Sequence, residues 1–251
     1  MNILVTLSYK GTAYHGFQVQ KNGVTVAQVF QDALEGLLGC RPDIKGCGRT
    51  DAGVHALKYA LNFHAETAIP MEKLPLALNF RLPPDIRVRK AQIVPEDFHA
   101  RYSAHQKTYC YRIWNTMVES PFEEPYTHRV PQPLDMEAMA RAARMLEGTH
   151  DFLPFCSAGS SVAEKGDTVR TLSACRVERQ EERVSFTFTA DGYLYNMVRI
   201  LSGTLVEVGL GRMKPEDIPA IFEKKDRALA GPTLPAKGLF MVGVEYPGIT
   251  L

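Results

Sequence analysis

The chain has no CxxC pair: its five cysteines, at positions 40, 47, 110, 156 and 175, are an odd number. A disulfide framework and a thiolate zinc site are therefore not suggested, and the cysteines read as small buried thiols in a reducing compartment. Long apolar runs are missing as well. They fall far short of the roughly 20 residues that a membrane-spanning helix needs. The start, MNILVTLSY, has no basic region followed by an apolar core and a cleavage site, so a soluble, cytoplasmic protein with no membrane association is expected. An excess of one charge is also lacking, with 29 basic against 28 acidic residues and a net charge of +1. That balance argues against a protein coated in nucleic acid, but a local basic surface is all that binding requires. Arg81, Arg87, Arg89 and Lys90 lie close in sequence, as do Arg101, Lys107 and Arg112; the same spacing fits solvated strand ends. No HExxH or EF-hand pattern is present. What remains is an ordinary globular composition, 45% hydrophobic and 23% charged over 251 residues, enough for one large or two ordinary domains with a sizeable core.

Periodicity orders the chain. NILVTLSY is apolar and β-branched enough for a buried strand, and a polar, glycine-punctuated loop follows it. Thr25 and Gln28 match a capping box, and Val26, Val29, Phe30, Ala33, Leu34 and Leu37 fall at helical spacing before Gly39. A strand ends near Cys47, LKYALNFH at 57–64 is another, a helix occupies about 71–80, and IRVRKAQIV at 86–94 alternates like a strand. This split β-α-β order suggests an antiparallel or mixed sheet with helices on one face. The second half opens on KTYCYRIWN, with Tyr109, Tyr111 and Ile113 on one strand face. A Pro-rich connection at 121–133 leads to a helix at 135–147, whose Met136, Met139, Ala140, Ala143 and Leu146 form a core stripe. Strands at about 169–179 and 183–190, helices at 194–208 and about 215–224, and a closing strand GLFMVGVEY complete it. The expected fold is α+β, with two similar domains, residues 1–103 and 104–251.

The stretch KGCGRTDAGVHA at 45–56 concentrates the chemistry. Gly48 and Gly53 permit close backbone approach, and the small Ala52 leaves the Asp51 carboxylate uncrowded. Such an Asp serves as nucleophile, general base, metal ligand or turn cap; composition alone weighs capping and catalysis evenly. A metal site would need more than Asp51 and His55, with His64, His99 and His105 the other candidates. Cys47, at the end of an apolar strand, reads as a structural thiol. Arg49 lies two residues before Asp51, and a guanidinium stacks on bases and pairs with phosphates.

GRTDAGVHA at 48–56 resembles the signature of the TruA family of tRNA pseudouridine synthases. Four further stretches resemble the family in chain order: YKGTAYHGFQVQ at 9–20, DFHARYSA at 97–104, KTYCYRIWN at 107–115, and NMVRILSG at 196–203 with KGLFMVGVEY at 237–246. Lys10, Phe17 and Val19 depart from the family's frequent Asp, Trp and Arg, so only Gln18 and Gln20 are carried over from the first loop. The resemblance implies isomerisation of uridine to pseudouridine at positions 38 to 40 of the tRNA anticodon stem-loop, without metal or organic cofactor. It implies a homodimer and a catalytic cleft between the two domains. Asp51 is then the catalytic carboxylate, acting at C6 of the base, at C1′ of the ribose, or through a glycal route. Arg49 occupies the space left by the flipped base, Tyr109 supplies the aromatic platform, and Arg199 is the cation beside Asp51. Phe98, His99, Ala100, Arg101 and Tyr102 are the RNA-binding segment, the 157–165 loop is a further candidate contact, and His55 orders the loop. On spacing alone Arg199 reads rather as an exposed residue on a polar helix face with Tyr195, Ser202 and Gly203. Two other readings are an RNA-binding module without catalysis and a metal-dependent hydrolase using Asp51 and His55.

Overall fold

The computed structural model describes residues 1–159 and 164–251. In chain order the strands are β1 Asn2–Tyr9, β2 Ile44–Gly46, β3 His55–His64, β4 Ile86–Val94, β5 Gln106–Trp114, β6 His128–Arg129, β7 Gly148–Asp151, β8 Val169–Gln180, β9 Arg183–Ala190 and β10 Leu239–Glu245. The α-helices are α1 Val26–Leu38, α2 Leu74–Arg81, α3 Met136–Leu146, α4 Met197–Gly209 and α5 Ile218–Lys224. No helix among the described residues is long and apolar enough to cross a membrane.

The fold is mixed α/β, and the chain divides into two compact units, Met1–His105 with Phe240–Leu251, and Gln106–Leu239. In the first unit β1 lies between β3 and β4, antiparallel to both, and β2 extends along β3. A strand with a partner on each side is covered on both faces when helices pack on it, which is why NILVTLSY reads as a continuous apolar run. All of β1 but Ser8 is buried. Thr25 Oγ1 accepts the Gln28 amide N–H at 3.3 Å and starts α1, as the cap spacing predicts. Where the sequence reading ends the first domain at residue 103, this unit also takes back the closing strand. Phe240 and Met241 of β10 pair in parallel with His55 and Ala56 of β3. A pairing between residues so distant in sequence leaves no local periodicity.

In the second unit β5, β9, β8 and β7 follow one another in antiparallel pairs, and β6 adds a short parallel pair to β5. Tyr109, Tyr111 and Ile113 are buried on one face of β5, as the alternation predicts. Helix α3 begins at Asp135, whose side chain accepts the Ala138 N–H at 2.9 Å. Its buried stripe is Ala138, Met139, Ala142, Ala143 and Leu146, so the core face is turned toward the alanines and away from Met136 and Ala140. Small side chains let the helix approach its neighbours, an advantage that hydrophobicity counting misses. Of the cysteines, 47, 156 and 175 are buried, Cys110 is partly exposed, and Cys40, next to the glycine that ends α1, is exposed rather than buried.

Helix α4 is buried on nearly every side, including Ser202 and Gly203, which the amphipathic reading places on a polar face. The reason is the 231–234 segment. A Cβ on Gly203 would stand 1.9 Å from the Pro232 carbonyl oxygen, and one on Gly231 would stand 2.3 Å from the Thr204 nitrogen. Backbone therefore packs on backbone, and Thr204 Oγ1 accepts the Gly231 N–H at 2.9 Å. Gly203→Ala forces these segments apart and is expected to destabilise the chain by about 2–4 kcal/mol, read as a lowered midpoint in thermal unfolding.

Candidate active site

The Asp51 loop is a turn whose backbone is fixed almost residue by residue. The Tyr59 hydroxyl donates to the Gly48 carbonyl, and the Tyr9 hydroxyl shares a buried hydrogen bond of 2.9 Å with Thr50 Oγ1. Val54 N–H donates to the Asp51 carbonyl at 3.2 Å, and Gly53 has φ +80°, the type II turn pattern whose positive φ at the third position favours glycine. Asp51 opens this turn, half-buried, with Ala52 exposed beside it and Arg49 exposed before it.

The polar loop after β1 forms the other wall of this structure. Phe17 N–H donates to the Thr50 carbonyl at 3.2 Å and Gly53 N–H to the Tyr14 carbonyl at 3.2 Å. Cβ atoms built on Gly11 and Gly16 would lie 2.0 Å from the Val54 oxygen and 2.3 Å from the Thr50 oxygen. His55 is buried, accepts the Gly11 N–H on Nδ1 at 3.1 Å, and stacks on Phe240 with ring centres 4.7 Å apart. An Nδ1 that accepts belongs to the neutral tautomer protonated at Nε2, so this histidine braces one loop against the other. Asp85 anchors the loop's far side: its carbonyl accepts the Lys10 N–H at 2.9 Å and its carboxylate the Tyr14 hydroxyl at 2.6 Å. Burial, with this hydrogen bond second, raises the Tyr14 pKa. Phe17 stacks on Tyr59 at 4.4 Å, which gives the departure at position 17 a packing role, while Gln18, Val19 and Gln20 are exposed. The Gln20 side chain donates to the His15 carbonyl at 2.6 Å.

The 97–104 segment separates into an inner and an outer half. Phe98 is buried against Tyr246, ring centres 5.0 Å apart, and Ala100 is fully buried. Two buried asparagines hold them: Asn2 Nδ2 donates to the Phe98 carbonyl at 2.9 Å, Asn62 Nδ2 donates to Asn2 Oδ1 at 2.9 Å, and Asn62 Oδ1 accepts the Ala100 N–H at 2.8 Å. Arg101 and Tyr102 point outward, with the Arg101 guanidinium 5.6 Å from the Tyr102 ring centre and the His99 ring tilted against the same ring at 4.4 Å. Burial first, then the charge of Lys45, lowers the His99 pKa.

In the second unit Tyr109 is buried, with its ring edge-on to Tyr193 at 5.0 Å; the Tyr193 hydroxyl donates to the Lys107 and Phe188 carbonyls, each at 2.9 Å. Tyr111 is a core residue whose hydroxyl donates to the Pro235 carbonyl at 2.7 Å, and burial raises its pKa. Arg199, in the first turn of α4, donates from Nε to the Leu234 carbonyl and from Nη1 to Asn196 Oδ1, both at 2.7 Å. Part of the 157–165 loop, residues 160–163, lies outside the described residues. Among the described residues no group of three or more His, Cys, Asp or Glu side chains is placed to hold a metal ion.

A family model described as tRNA pseudouridine synthase matches residues 6–103 and 142–247. The chain belongs to this family. It is 45% identical over 245 residues to a tRNA pseudouridine synthase A of Thermoanaerobacter sp. (strain X514), covering 98% of this chain and 99% of that protein. A protein of the same name from Caldicellulosiruptor saccharolyticus is 46% identical over 98% of this chain and 99% of that protein. One from Moorella thermoacetica is 47% identical over 96% of this chain and 98% of that protein. The family is one of isomerases, and of the motif stretches quoted above all lie wholly or partly within the matched segments except KTYCYRIWN at 107–115, which falls between them.

Sequence reasoning missed the residues that position others: Asp85 and Tyr14 behind the first loop, Asn2 and Asn62 beneath the FHAR segment, and Asn196 beside Arg199. For Asn2 and Asn62 the signal is polarity inside an otherwise apolar strand, while Tyr14, Asp85 and Asn196 lie between elements and leave none. Asn62→Ala leaves the Ala100 N–H and Asn2 Oδ1 buried without this partner. The expected cost is about 2–5 kcal/mol, measured by denaturant unfolding, with Asn62→Asp no better because it buries a carboxylate.

Proposed function

We propose that this chain converts uridine to pseudouridine in tRNA, at positions 38 to 40 of the anticodon stem-loop, as a cytoplasmic homodimer with Asp51 as the catalytic carboxylate. The observation that carries the reading is the turn that presents Asp51: a half-buried carboxylate on a backbone pinned by Tyr9, Tyr14, Phe17 and Tyr59, within a chain of this family. A turn cap alone does not call for a second loop to be packed against it without room for a Cβ at two positions.

The reaction is an internal rearrangement. The N1–C1′ bond breaks, the uracil turns, a C5–C1′ bond forms, C5 gives up its proton and N1 acquires one; no atom or electron is gained or lost overall. The target base must first leave its stack, at about a few kcal/mol, and the exposed Arg49 fills the space it vacates. Asp51 attacks or assists at the nucleoside, and its charge in an enclosed site calls for a cation, the role of Arg199. Tyr109, its ring held by Tyr193, is the platform for the turning uracil. Arg101 and Tyr102, with His99, Gln18 and Gln20, offer the outer surface to RNA, and Phe98 and Ala100 serve that surface by anchoring it. An arginine over an exposed aromatic ring suits a phosphate beside an unstacked base.

Asp51→Ala is expected to lower single-turnover pseudouridine formation by at least about a thousandfold while tRNA affinity changes little. Equal pseudouridine from mutant and wild type would make the chain an RNA-binding module rather than an enzyme acting through Asp51. Arg101→Ala is expected to weaken tRNA binding and to reduce the slope of log affinity against log salt by about one, measured by filter binding across a salt series. An unchanged slope removes Arg101 from the phosphate contacts.

A further inference from the structure

Asn196 immediately precedes α4, where an asparagine ordinarily turns its side-chain oxygen onto an amide of the first helical turn. This one makes no such cap. It stands in the left-handed region at φ 60°, a conformation that asparagine tolerates better than most residues. Its backbone carbonyl accepts the Ile200 N–H at 3.0 Å, so the helix starts normally, and the side chain is spent elsewhere. Oδ1 accepts from Arg199 Nη1 at 2.7 Å, and Nδ2 donates to Ser157 Oγ at 2.9 Å. The two bonds leave one orientation of the carboxamide, oxygen to the arginine and nitrogen to the serine. Ser157 is itself fixed, its N–H donating to the Tyr195 carbonyl at 3.1 Å.

Arginine is a long side chain, and its value in a site depends on where its planar fork points. Here two atoms of the fork are held from different directions, Nε by the Leu234 carbonyl and Nη1 by Asn196. Leu234 also donates its N–H to the Arg199 carbonyl at 3.3 Å, so that both backbone and side chain of Arg199 are registered to the same residue. We propose that Asn196, braced by Ser157, is a positioning residue that sets the plane of the Arg199 guanidinium for the isomerisation. The inference rests on the reading that Arg199 serves Asp51. Asn196 touches no reacting atom; it acts through the arginine, and its forfeited cap is the sign that its side chain is committed to that task.

The test is a double-mutant cycle read by single-turnover pseudouridine formation, tRNA affinity and thermal midpoint. Asn196→Gly keeps the left-handed backbone and removes the carboxamide; Arg199→Lys keeps the charge and removes the fork. Asn196→Gly is expected to slow the single turnover by about 10- to 100-fold with tRNA affinity within about threefold, and to add less than about twofold in the Arg199→Lys background. Ser157→Ala should give a smaller loss in the same direction, also absent in that background, which keeps the idea testable if the glycine variant is poorly folded. An equal loss from Asn196→Gly in both backgrounds, a loss that tracks the thermal midpoint, or no loss at all overturns the positioning role. If Arg199→Ala turns over at the wild-type rate, the assignment of Arg199 itself falls, a result distinct from a sensitive Arg199 beside an insensitive Asn196.

Discussion

The seam where the 10–17 loop meets the 48–54 loop is the constraint on which the rest of the first unit depends. The two loops leave neighbouring strands at the same end, since Tyr9 at the end of β1 pairs with Ala56 at the start of β3. They come so close that neither Gly11 nor Gly16 has room for a Cβ. At that separation main-chain amides reach main-chain carbonyls, and the hydrogen bonds from Phe17 to Thr50 and from Gly53 to Tyr14 become possible. A loop bonded through its own backbone keeps its shape when side chains around it exchange partners. In the proposed reaction Asp51 would therefore meet its substrate from a fixed position, so that little of the binding energy is needed to order it.

The second unit solves a related problem for a long side chain. Glycines at 203 and 231 bring the 231–234 segment onto α4, and that segment supplies the carbonyl that holds Arg199 Nε. Close backbone packing and a fixed guanidinium are thus one feature. In both units glycines let backbone pack on backbone, and a polar side chain adds a further bond, Asp85 to Tyr14 in one and Asn196 to Arg199 in the other. Preorganisation of this kind favours chemistry in which charge develops at a known place.

How far the sequence could be read follows from the range of the interactions involved. Helix α1 was legible because its cap, its apolar spacing and its terminal glycine all lie within a few residues of one another. The strands with strict alternation, β5 and β9 among them, were legible for the same reason. The motif around Asp51 was legible as a turn from its glycines. What local pattern cannot carry is partnership across the fold. The parallel pairing of β10 with β3, the burial of Gly203 under another backbone, and the rotation of the α3 stripe toward alanine each depend on a distant neighbour. So does the division of the FHAR segment, where Phe98 and Ala100 turn inward because Asn2 and Asn62 await them. Short elements such as β6 and β7, with two and four residues, have too little length for a period.

The central claim is that this chain rearranges uridine in the tRNA anticodon stem-loop through Asp51. It is tested most directly by incubating the purified protein with tRNA lacking modification and mapping pseudouridine at single-nucleotide resolution. The account predicts new pseudouridine confined to positions 38 to 40. Uridine left intact throughout the stem-loop, or pseudouridine appearing only elsewhere in the tRNA, would contradict it.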